Sequence, residues 1–368
     1  MIYDVIVLGT GGVGSAALYH PAQRGAKALG LDQYPGGHSN GSSHGATRVI
    51  RKAYFEHPNY VPLLNRAYQL WRDLEAQTGQ SLYAETGLIE VGPPDGVIVP
   101  GVLKAANEHN LAVETIEPFD FQGRFPALRL PEGSVAVFER EAGFLRVEDC
   151  VLAHLQSATH LGADWRQEAV LRWEATSSGV TVETSKQRYQ AQSLAIAAGA
   201  WSGPLLKEIG LPLRILLKHL LWYESDASTS LEAGFPCFFY ETPTGYFYGF
   251  PQLDSLGLKV AEHSGGLEIP TPEKPEQLDP ADTRSIESFL GEHIPGVSTT
   301  RTRQESCYYT MSQDEHFIVD HDPNHQQVSF IAGLSGHGFK FASVLGEALA
   351  DLATGKSLSS DYDFLKLR

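Results

Sequence analysis

Hydrophobic and polar positions near the start of the chain predict a strand, a tight turn, a helix and a second strand. The apolar run at residues 5–8 stops at a glycine-rich turn, and a helix-like stretch at 15–24 follows, closed by Gly25. A second apolar segment at 28–31 ends in an acidic residue. This order is typical of the first unit of a nucleotide-binding α/β fold.

The same kinds of element are predicted further along the chain. Residues 60–77 place Leu63, Leu64, Tyr68 and Trp71 on one side of a helix. Apolar or alternating segments predict strands within 170–184, at 193–197 and at 328–331, and helices at 152–160 and from about 339 to Gly355.

Residues 215–259 have a different pattern. Aromatic segments at 238–240 and 246–248 flank a Pro-Thr-Gly turn, which predicts an antiparallel sheet. The chain is therefore predicted to be α/β. We expect a Rossmann-like nucleotide-binding domain built from discontinuous segments, and a second, substrate-binding domain with helices and a large, mostly antiparallel sheet. The first comprises residues 1–85, 145–214 and 315–368, and the second comprises 86–144 and 215–314.

Composition narrows the classes of partner. The chain has 368 residues, with 44 acidic against 28 basic side chains and a formal net charge of -16. That charge argues against nucleic acid or an anionic membrane surface as the main partner. The amino terminus lacks the pattern of a signal peptide, and no run of about 18 apolar residues predicts a membrane span. We expect a cytoplasmic protein.

Cysteine usage excludes two kinds of site. The three cysteines, Cys150, Cys237 and Cys307, are far apart and form no CxxC pair. Such a sparse, odd set argues against a disulfide framework and against a zinc site, and we predict no metal. Cys150 and Cys237 are interpreted as small buried apolar side chains.

The glycine turn predicts dinucleotide binding. Gly9, Gly11 and Gly14 allow the turn to approach a pyrophosphate, whose charge the amino-terminal end of the next helix stabilises. Asp32, at the end of the second strand, can accept hydrogen bonds from an adenosine ribose. These residues do not distinguish NAD from FAD.

Other segments carry a family resemblance. Residues 41–51, GSSHGATRVIR, are similar to the GSHHGDTRxIR signature of the monomeric sarcosine oxidase and N-methyltryptophan oxidase family. The similarity continues through residues 248–251, 257–259, 314–320 and 333–341, in the order of the family and over essentially the whole chain. The chain therefore resembles FAD-dependent amine oxidases. Ser43 and Ala46 stand where the family has a histidine and an aspartate, so charge and shape beside the flavin differ.

The resemblance implies how the cofactor is held. Cys307 matches the family cysteine that forms a thioether with the 8α carbon of FAD, so a covalent flavin is expected. Thr47, Gly336, His337 and Gly338 match positions beside the flavin. A helix amino terminus after His337 and Gly338 would stabilise negative charge on the reduced ring.

The resemblance also implies roles for charged and aromatic residues. Arg51 and Lys340 match the pair that binds a substrate carboxylate. Lys259 matches the lysine that activates oxygen, because a fixed cation stabilises nascent superoxide. The remaining matched residues are the cationic neighbours of the flavin, His44 and Arg48, and the lining of the substrate pocket, Tyr248, His263 and Tyr309.

These roles predict oxidation of an N-methyl or other secondary α-amino acid. Flavin takes a hydride, the imine hydrolyses, and O₂ is reduced to hydrogen peroxide; an N-methyl group leaves as formaldehyde. The partners are then an N-alkyl amino acid and O₂, and we expect a monomer. Three alternatives stay open: a related oxidase of a cyclic or bulkier amino acid such as pipecolate or a glycated amine, an NAD(P)-dependent dehydrogenase, and a non-catalytic FAD-binding module.

Overall fold

The computed structural model of the protein describes residues 2–274 and 281–367. Its strands are β1 (Ile2–Leu8), β2 (Ala28–Asp32), β3 (Thr47–Ile50), β4 (Tyr83–Glu85), β5 (Leu88–Gly92), β6 (Val113–Ile116), β7 (Val135–Glu139), β8 (Gly143–Arg146), β9 (Asp164–Gln167), β10 (Val170–Thr176), β11 (Gly179–Thr184), β12 (Arg188–Ile196), β13 (Arg214–Ser225), β14 (Cys237–Thr242), β15 (Gly245–Phe250), β16 (Leu258–Glu262), β17 (Leu267–Ile269), β18 (Val297–Met311), β19 (Ile318–Asp322) and β20 (His325–Ala332). Its α-helices are α1 (Gly12–Gln23), α2 (Val61–Thr78), α3 (Ile98–His109), α4 (Pro118–Arg124), α5 (Val147–His160), α6 (Ser202–Leu205), α7 (Ala281–His293) and α8 (Ala342–Ala353).

The first sheet brings three loops to one edge. Strand β1 lies parallel between β2 and β12, and β20 is parallel to β12 on the far side. The carboxyl ends of parallel neighbours meet at the same edge of a sheet, outside which α/β proteins bind ligands. The loops after β1, β12 and β20 therefore lie together, beside the acid at the end of β2.

The helices around this sheet confirm most predicted elements. Helix α2 buries Leu63, Leu64, Tyr68 and Trp71, so its apolar stripe was interpreted correctly. Helix α1 begins at Gly12, three residues before the predicted start, because the later glycines of the turn already have helical backbone. Helix α5 also starts earlier than predicted, at Val147. Helix α8 starts later, at Ala342, after a 3₁₀ turn at Phe339–Phe341.

The second sheet confirms the antiparallel prediction for residues 215–259. Its order is β17-β13-β16-β15-β14-β5-β7-β6, and the long strand β18 pairs with β13. The pairs β13–β16, β14–β15 and β15–β16 are antiparallel, whereas β5 and β14 are parallel. A small third sheet, β3-β8-β4, supports the segment after the second glycine-rich loop. How the chain divides into domains stays a prediction.

Two general findings limit the kinds of site. Among the described helices, none combines the length and the apolar character needed to cross a membrane. The described residues also contain no group of three or more His, Cys, Asp or Glu side chains arranged to hold a metal ion.

Candidate active site

The glycine turn is closely packed against its neighbours. Gly9 has a φ of +80°, and a Cβ there would lie 2.6 Å from the carbonyl oxygen of Ala197. A Cβ on Gly14 would lie 1.7 Å from the carbonyl oxygen of Gly9, so helix and turn could not approach this closely with any larger residue. Gly11 has more room, since its nearest neighbour is the hydroxyl of Ser43 at 3.6 Å. That hydroxyl accepts a hydrogen bond from the Gly12 amide at 3.0 Å.

Asp32 joins the end of β2 to the turn. Its Oδ2 accepts hydrogen bonds from the amide and the hydroxyl of Thr10, at 2.7 and 3.3 Å. Its Oδ1 accepts from the Tyr34 amide at 3.0 Å. The carboxylate is thus fixed in place at the edge where a ribose is predicted to bind.

A cavity of about 410 Å³ extends from this edge to the second sheet. Most residues predicted from the sequence line it. They are Gly9, Gly11, Asp32, Arg48, Arg51, Tyr248, His263, Cys307, Tyr309, Gly336, His337, Gly338 and Lys340. Gly14, His44, Thr47 and Lys259 do not line the cavity.

Arg51 is a buried cation surrounded by rings and carboxylates. Its guanidinium carbon lies 4.4 Å from the centre of the Phe55 ring and 4.8 Å from that of Tyr54. Nη2 donates to Glu56 at 2.6 Å, and Nε lies 3.4 Å from an Oε of Glu90. Burial alone would lower the pKa of Arg51, but Glu56 and Glu90 raise it above its ordinary value. The side chain is therefore a permanent cation.

Lys340 lies beside Arg51 in the 3₁₀ turn before α8. Its Nζ donates to the carbonyl oxygen of His337 at 2.8 Å and to the hydroxyl of Tyr54 at 3.4 Å. The Trp71 indole donates to the Lys340 carbonyl at 3.1 Å and fixes the turn. Burial, followed by repulsion from Arg51, lowers the pKa of Lys340 to about 7. An anion at this position would restore its charge.

An aromatic group lines the part of the cavity that the second sheet forms. The hydroxyl of Tyr309 and Nδ1 of His263 are 3.2 Å apart, and the rings of Tyr248 and Phe239 stack with centres 6.1 Å apart. Burial lowers the pKa of His263 to about 3, so this imidazole is neutral at ordinary pH. A Cβ on Gly336 would lie 2.3 Å from the Tyr309 ring, which shows how tightly the loop after β20 covers the aromatic group.

Cys307 lies on β18, where it faces the cavity and is 1% exposed. Lys218 on β13 is its register partner across the sheet. The Lys218 ammonium donates to the carbonyl oxygens of Ser264 and Gly265, at 2.5 and 3.2 Å. Burial lowers the pKa of Lys218 to about 8. Lys218 is thus a buried basic side chain on the strand next to Cys307.

Lys259 and Arg48 support the loop after residue 41. Nζ of Lys259 donates to the carbonyl oxygens of Gly45 and Thr47, at 2.5 and 2.8 Å, and to the Thr47 hydroxyl at 3.1 Å. The Arg48 guanidinium donates to the carbonyl oxygens of Thr47 and Ser42, each at 2.8 Å. Burial lowers the pKa of Lys259 well below its usual range. The loop is thus held by two basic side chains.

His44 pairs with an acid next to the cysteine strand. Its Nδ1 lies 2.6 Å from Glu305, and its Nε2 lies 3.0 Å from the ammonium of Lys274. Although burial raises the pKa of Glu305, the hydrogen bond from His44 and the charge of Arg303 bring it down to about 2. Glu305 is therefore an anion that balances the cations of this loop.

Several residues of the site were missed from the sequence. Glu56 and Tyr54 lie in the segment after Arg51, and their closeness in sequence to a predicted ligand is a signal that could have found them. Phe239 and Glu90 occupy neighbouring strands β14 and β5 and are register partners, which only the fold reveals.

Comparison with known proteins identifies the family of the chain. The model of the family described as "FAD dependent oxidoreductase" matches residues 4–352. The chain is 38% identical over 359 residues to monomeric sarcosine oxidase of Streptomyces avermitilis, covering 95% of this chain and 93% of that protein. It is 38% identical over 371 residues to N-methyl-L-tryptophan oxidase of Citrobacter koseri, covering 100% of this chain and 99% of that protein. In fold it is similar to NikD, an amino acid oxidase essential for nikkomycin biosynthesis, with a TM-score of 0.87, 23% identity and coverage of 99% of this chain and 97% of that one.

Proposed function

Since the chain belongs to the FAD-dependent oxidoreductase family, we propose that it is a flavoprotein oxidase of N-methyl or other secondary α-amino acids. One observation carries the proposal: a single cavity joins the glycine turn to the buried cations Arg51 and Lys340. The family match disfavours the NAD(P)-dependent dehydrogenase. The relatives named after sarcosine and N-methyl-L-tryptophan support the substrate class.

The residues around the first sheet fit FAD. A Cβ at Gly9 or Gly14 would collide with the backbone of Ala197 or of Gly9, so only glycine permits the tight turn, and α1 begins directly after it with its amino-terminal end towards the predicted pyrophosphate. Asp32 is the predicted partner of the adenosine ribose, and Thr47, Gly336, His337 and Gly338 are the predicted neighbours of the ring. Bound FAD supplies the acceptor for the electrons of the C–N bond and passes them to oxygen.

Cys307 is proposed as the covalent tether of the flavin through its sulfur. Its place in the cavity wall supports this role, because neither of the other cysteines lines the cavity among the described residues. The buried basic side chain Lys218 is its register partner on β13.

Arg51 and Lys340 are proposed to bind the substrate carboxylate. The planar guanidinium and the nearby ammonium present two kinds of donor to one anion. Their positive charge also lowers the pKa of the bound amine and so favours loss of its proton. This helps the reaction, since only an unprotonated nitrogen can be oxidised. His263 is neutral, so together with Tyr248 and Tyr309 it shapes the pocket without adding a charge that would repel a cationic amine.

Lys259, with Arg48 and His44 nearby, is proposed to serve the reaction with oxygen. A fixed cation stabilises the negative charge that forms when O₂ takes up an electron. The described contacts hold Lys259 beneath the loop formed by residues 45–47, so its position is set before substrate arrives.

The test is anaerobic reduction of the purified yellow protein by a panel of N-methyl amino acids, including sarcosine and N-methyltryptophan, followed by admission of air. We expect bleaching by at least one of them and rapid recovery of colour in air, with release of hydrogen peroxide. Bleaching only by a cyclic or glycated amino acid would contradict the N-methyl substrate class and favour the alternative oxidase. Bleaching without recovery in air would contradict the oxidase.

We further propose that the protein acts as a monomer on small molecules alone. The name of the sarcosine-oxidising relatives supports this state, and the net charge of -16 disfavours nucleic acid. Light scattering after size-exclusion chromatography should give a mass near 40.2 kDa for the polypeptide; a dimer mass would overturn it.

A further inference from the structure

Glu90 is a buried carboxylate without a hydrogen-bond donor. It lies in β5, is 0% exposed, and neither of its carboxylate oxygens has a hydrogen-bond partner among the described residues. The nearest cation is Arg51, whose Nε is 3.4 Å away, equally buried and also without a hydrogen bond. Buried carboxylates are costly unless they are paired or protonated, so this arrangement requires an explanation.

The charges facing Glu90 come from two sides. Arg51, Glu56 and Lys340 lie on the side of the cavity, and Glu139 lies on the adjacent strand β7. Glu139 differs from Glu90 because it accepts hydrogen bonds from the Lys52 and Ala53 amides, at 2.7 and 2.9 Å. Burial, followed by the charges of Glu139 and Glu56, raises the pKa of Glu90 to about 8, although Arg51 and Lys340 oppose that rise.

Arg51 already has two acidic neighbours before any ligand binds. Glu56 contacts Nη2, and Glu90 approaches Nε from behind, outside the cavity lining. A substrate carboxylate would be a third anion on one guanidinium. Lys340 offsets part of this charge when it is protonated. The remaining excess of negative charge is removed if one of the two glutamates becomes neutral. Glu90 is the one that becomes neutral more easily, because no hydrogen-bond donor among the described residues stabilises its ionised form.

We propose that Glu90 is a positioning residue of the carboxylate site: at a pH where the free residue is ionised, it takes up one proton from solvent when an anion binds to Arg51 and returns it when the anion leaves. The inference rests on the proposed function, because it requires a substrate with a carboxylate. In the bound state Glu90 is a carboxylic acid that can accept from Arg51 Nε through its carbonyl oxygen. The guanidinium then keeps its place while its outer nitrogens bind the ligand.

A measurable consequence follows from linkage. Below the pH at which free Glu90 ionises, no proton needs to be added and anion affinity does not depend on this residue. Above that pH, each further unit weakens anion binding by up to about tenfold, until Glu90 is ionised in both states. The experiment is isothermal titration of the flavin-loaded enzyme with propionate at pH 8.5, in two buffers that differ in ionisation enthalpy. The difference between the two heats gives the number of protons taken up.

We expect the unaltered enzyme to take up more protons than Glu90→Gln, by the larger part of one proton. Lys340 also titrates, but loss of the Glu90 charge lowers its pKa further, so its own proton uptake can only be larger in the variant; a larger uptake by the unaltered enzyme therefore belongs to Glu90. Glu347→Gln is the matched control, since it removes a carboxylate paired with Arg66 at 2.6 Å that does not line the cavity, and its uptake should equal that of the unaltered enzyme.

The outcomes separate this inference from the proposed function. Propionate binding with equal uptake in the unaltered enzyme and Glu90→Gln would overturn the role of Glu90 and leave the carboxylate site intact. Absence of propionate binding in every form would overturn both. Should Glu90→Gln fail to fold, Glu90→Leu removes the same titration with an apolar side chain of similar size, and the same difference in uptake is expected.

Discussion

The hydroxyl of Tyr54 and Nδ1 of His337 lie 2.6 Å apart, and which of them donates depends on which ring nitrogen of the imidazole carries the proton. The other ring nitrogen, Nε2, lies 3.1 Å from the carbonyl oxygen of Glu315, which can only accept. Nε2 therefore carries the proton, and Nδ1 accepts from Tyr54. Burial lowers the pKa of His337 to about 4, so the ring beside the proposed flavin site is neutral.

Replacing Tyr54 by Phe should therefore destabilise the protein. The substitution leaves Nδ1 of His337 buried without a donor, at an expected cost of about 1–3 kcal/mol. Urea unfolding of the flavin-loaded enzyme measures this cost. Tyr362→Phe is the comparison, because it removes a longer bond of 3.4 Å to the Val344 carbonyl and should cost less. A smaller loss for Tyr54→Phe than for Tyr362→Phe would contradict the expected contribution of the bond between Tyr54 and His337.

Lys340→Met should lower the kcat/KM only of substrates that carry a carboxylate. A lost charge-assisted contact of roughly 1.5–3 kcal/mol lowers kcat/KM by about 10- to 100-fold. The same amine without its carboxylate should be oxidised by both forms at similar, low efficiency. Steady-state peroxide assays with the two substrates provide the comparison. An equal loss for both would show that Lys340 acts on the fold and not on the anion.

Cys307→Ser should abolish the covalent flavin. Mass spectrometry of the denatured chain should show an added mass of one FAD in the unaltered protein and none in the variant. Cys150→Ser and Cys237→Ser should keep the adduct, since both thiols are buried away from the cavity and burial raises their pKa. An adduct that persists in Cys307→Ser would place the tether elsewhere.

Glu90 should also make stability depend on pH. Its pKa is raised to about 8 in the folded protein from an ordinary value of 4.5, so the folded state binds more protons between these values. Stability contributed by this group is complete below pH 4.5 and decreases as pH rises towards 8. Glu90→Gln cannot titrate. Its stability relative to the unaltered enzyme should therefore rise by roughly 1 kcal/mol per pH unit between pH 5 and 8, measured by urea unfolding. A constant difference across this range would show that Glu90 is not raised in pKa.

Local patterns were sufficient to predict the scaffold. The glycine turn, the apolar strands beside it and the stripe of α2 each depend on residues that are neighbours in sequence, so periodicity and spacing predict them. The antiparallel strands β14 and β15 follow from alternating aromatic residues around one short turn. Helix boundaries were less accurate at α1, α5 and α8, because cap geometry and tertiary contacts decide where a helix starts.

The charge balance of the site could not be predicted in the same way. Glu90 lies within an apolar strand, and nothing in its neighbours along the chain indicates that Arg51 lies next to it. Phe239 reaches the cavity only because β14 pairs with β5 across about 150 positions of sequence. The family resemblance supplied the cations of the site but not the acids that compensate them.

The contacts of Lys259 have a consequence for the reaction with oxygen. Three acceptors use every N–H of its ammonium group, and all three belong to Gly45 and Thr47. If this lysine stabilises reduced oxygen as proposed, it does so through its charge alone. It can donate a hydrogen bond to oxygen only after one of its bonds to Gly45 or Thr47 breaks. The rate at which the enzyme is reoxidised would then depend on motion of Gly45 and Thr47.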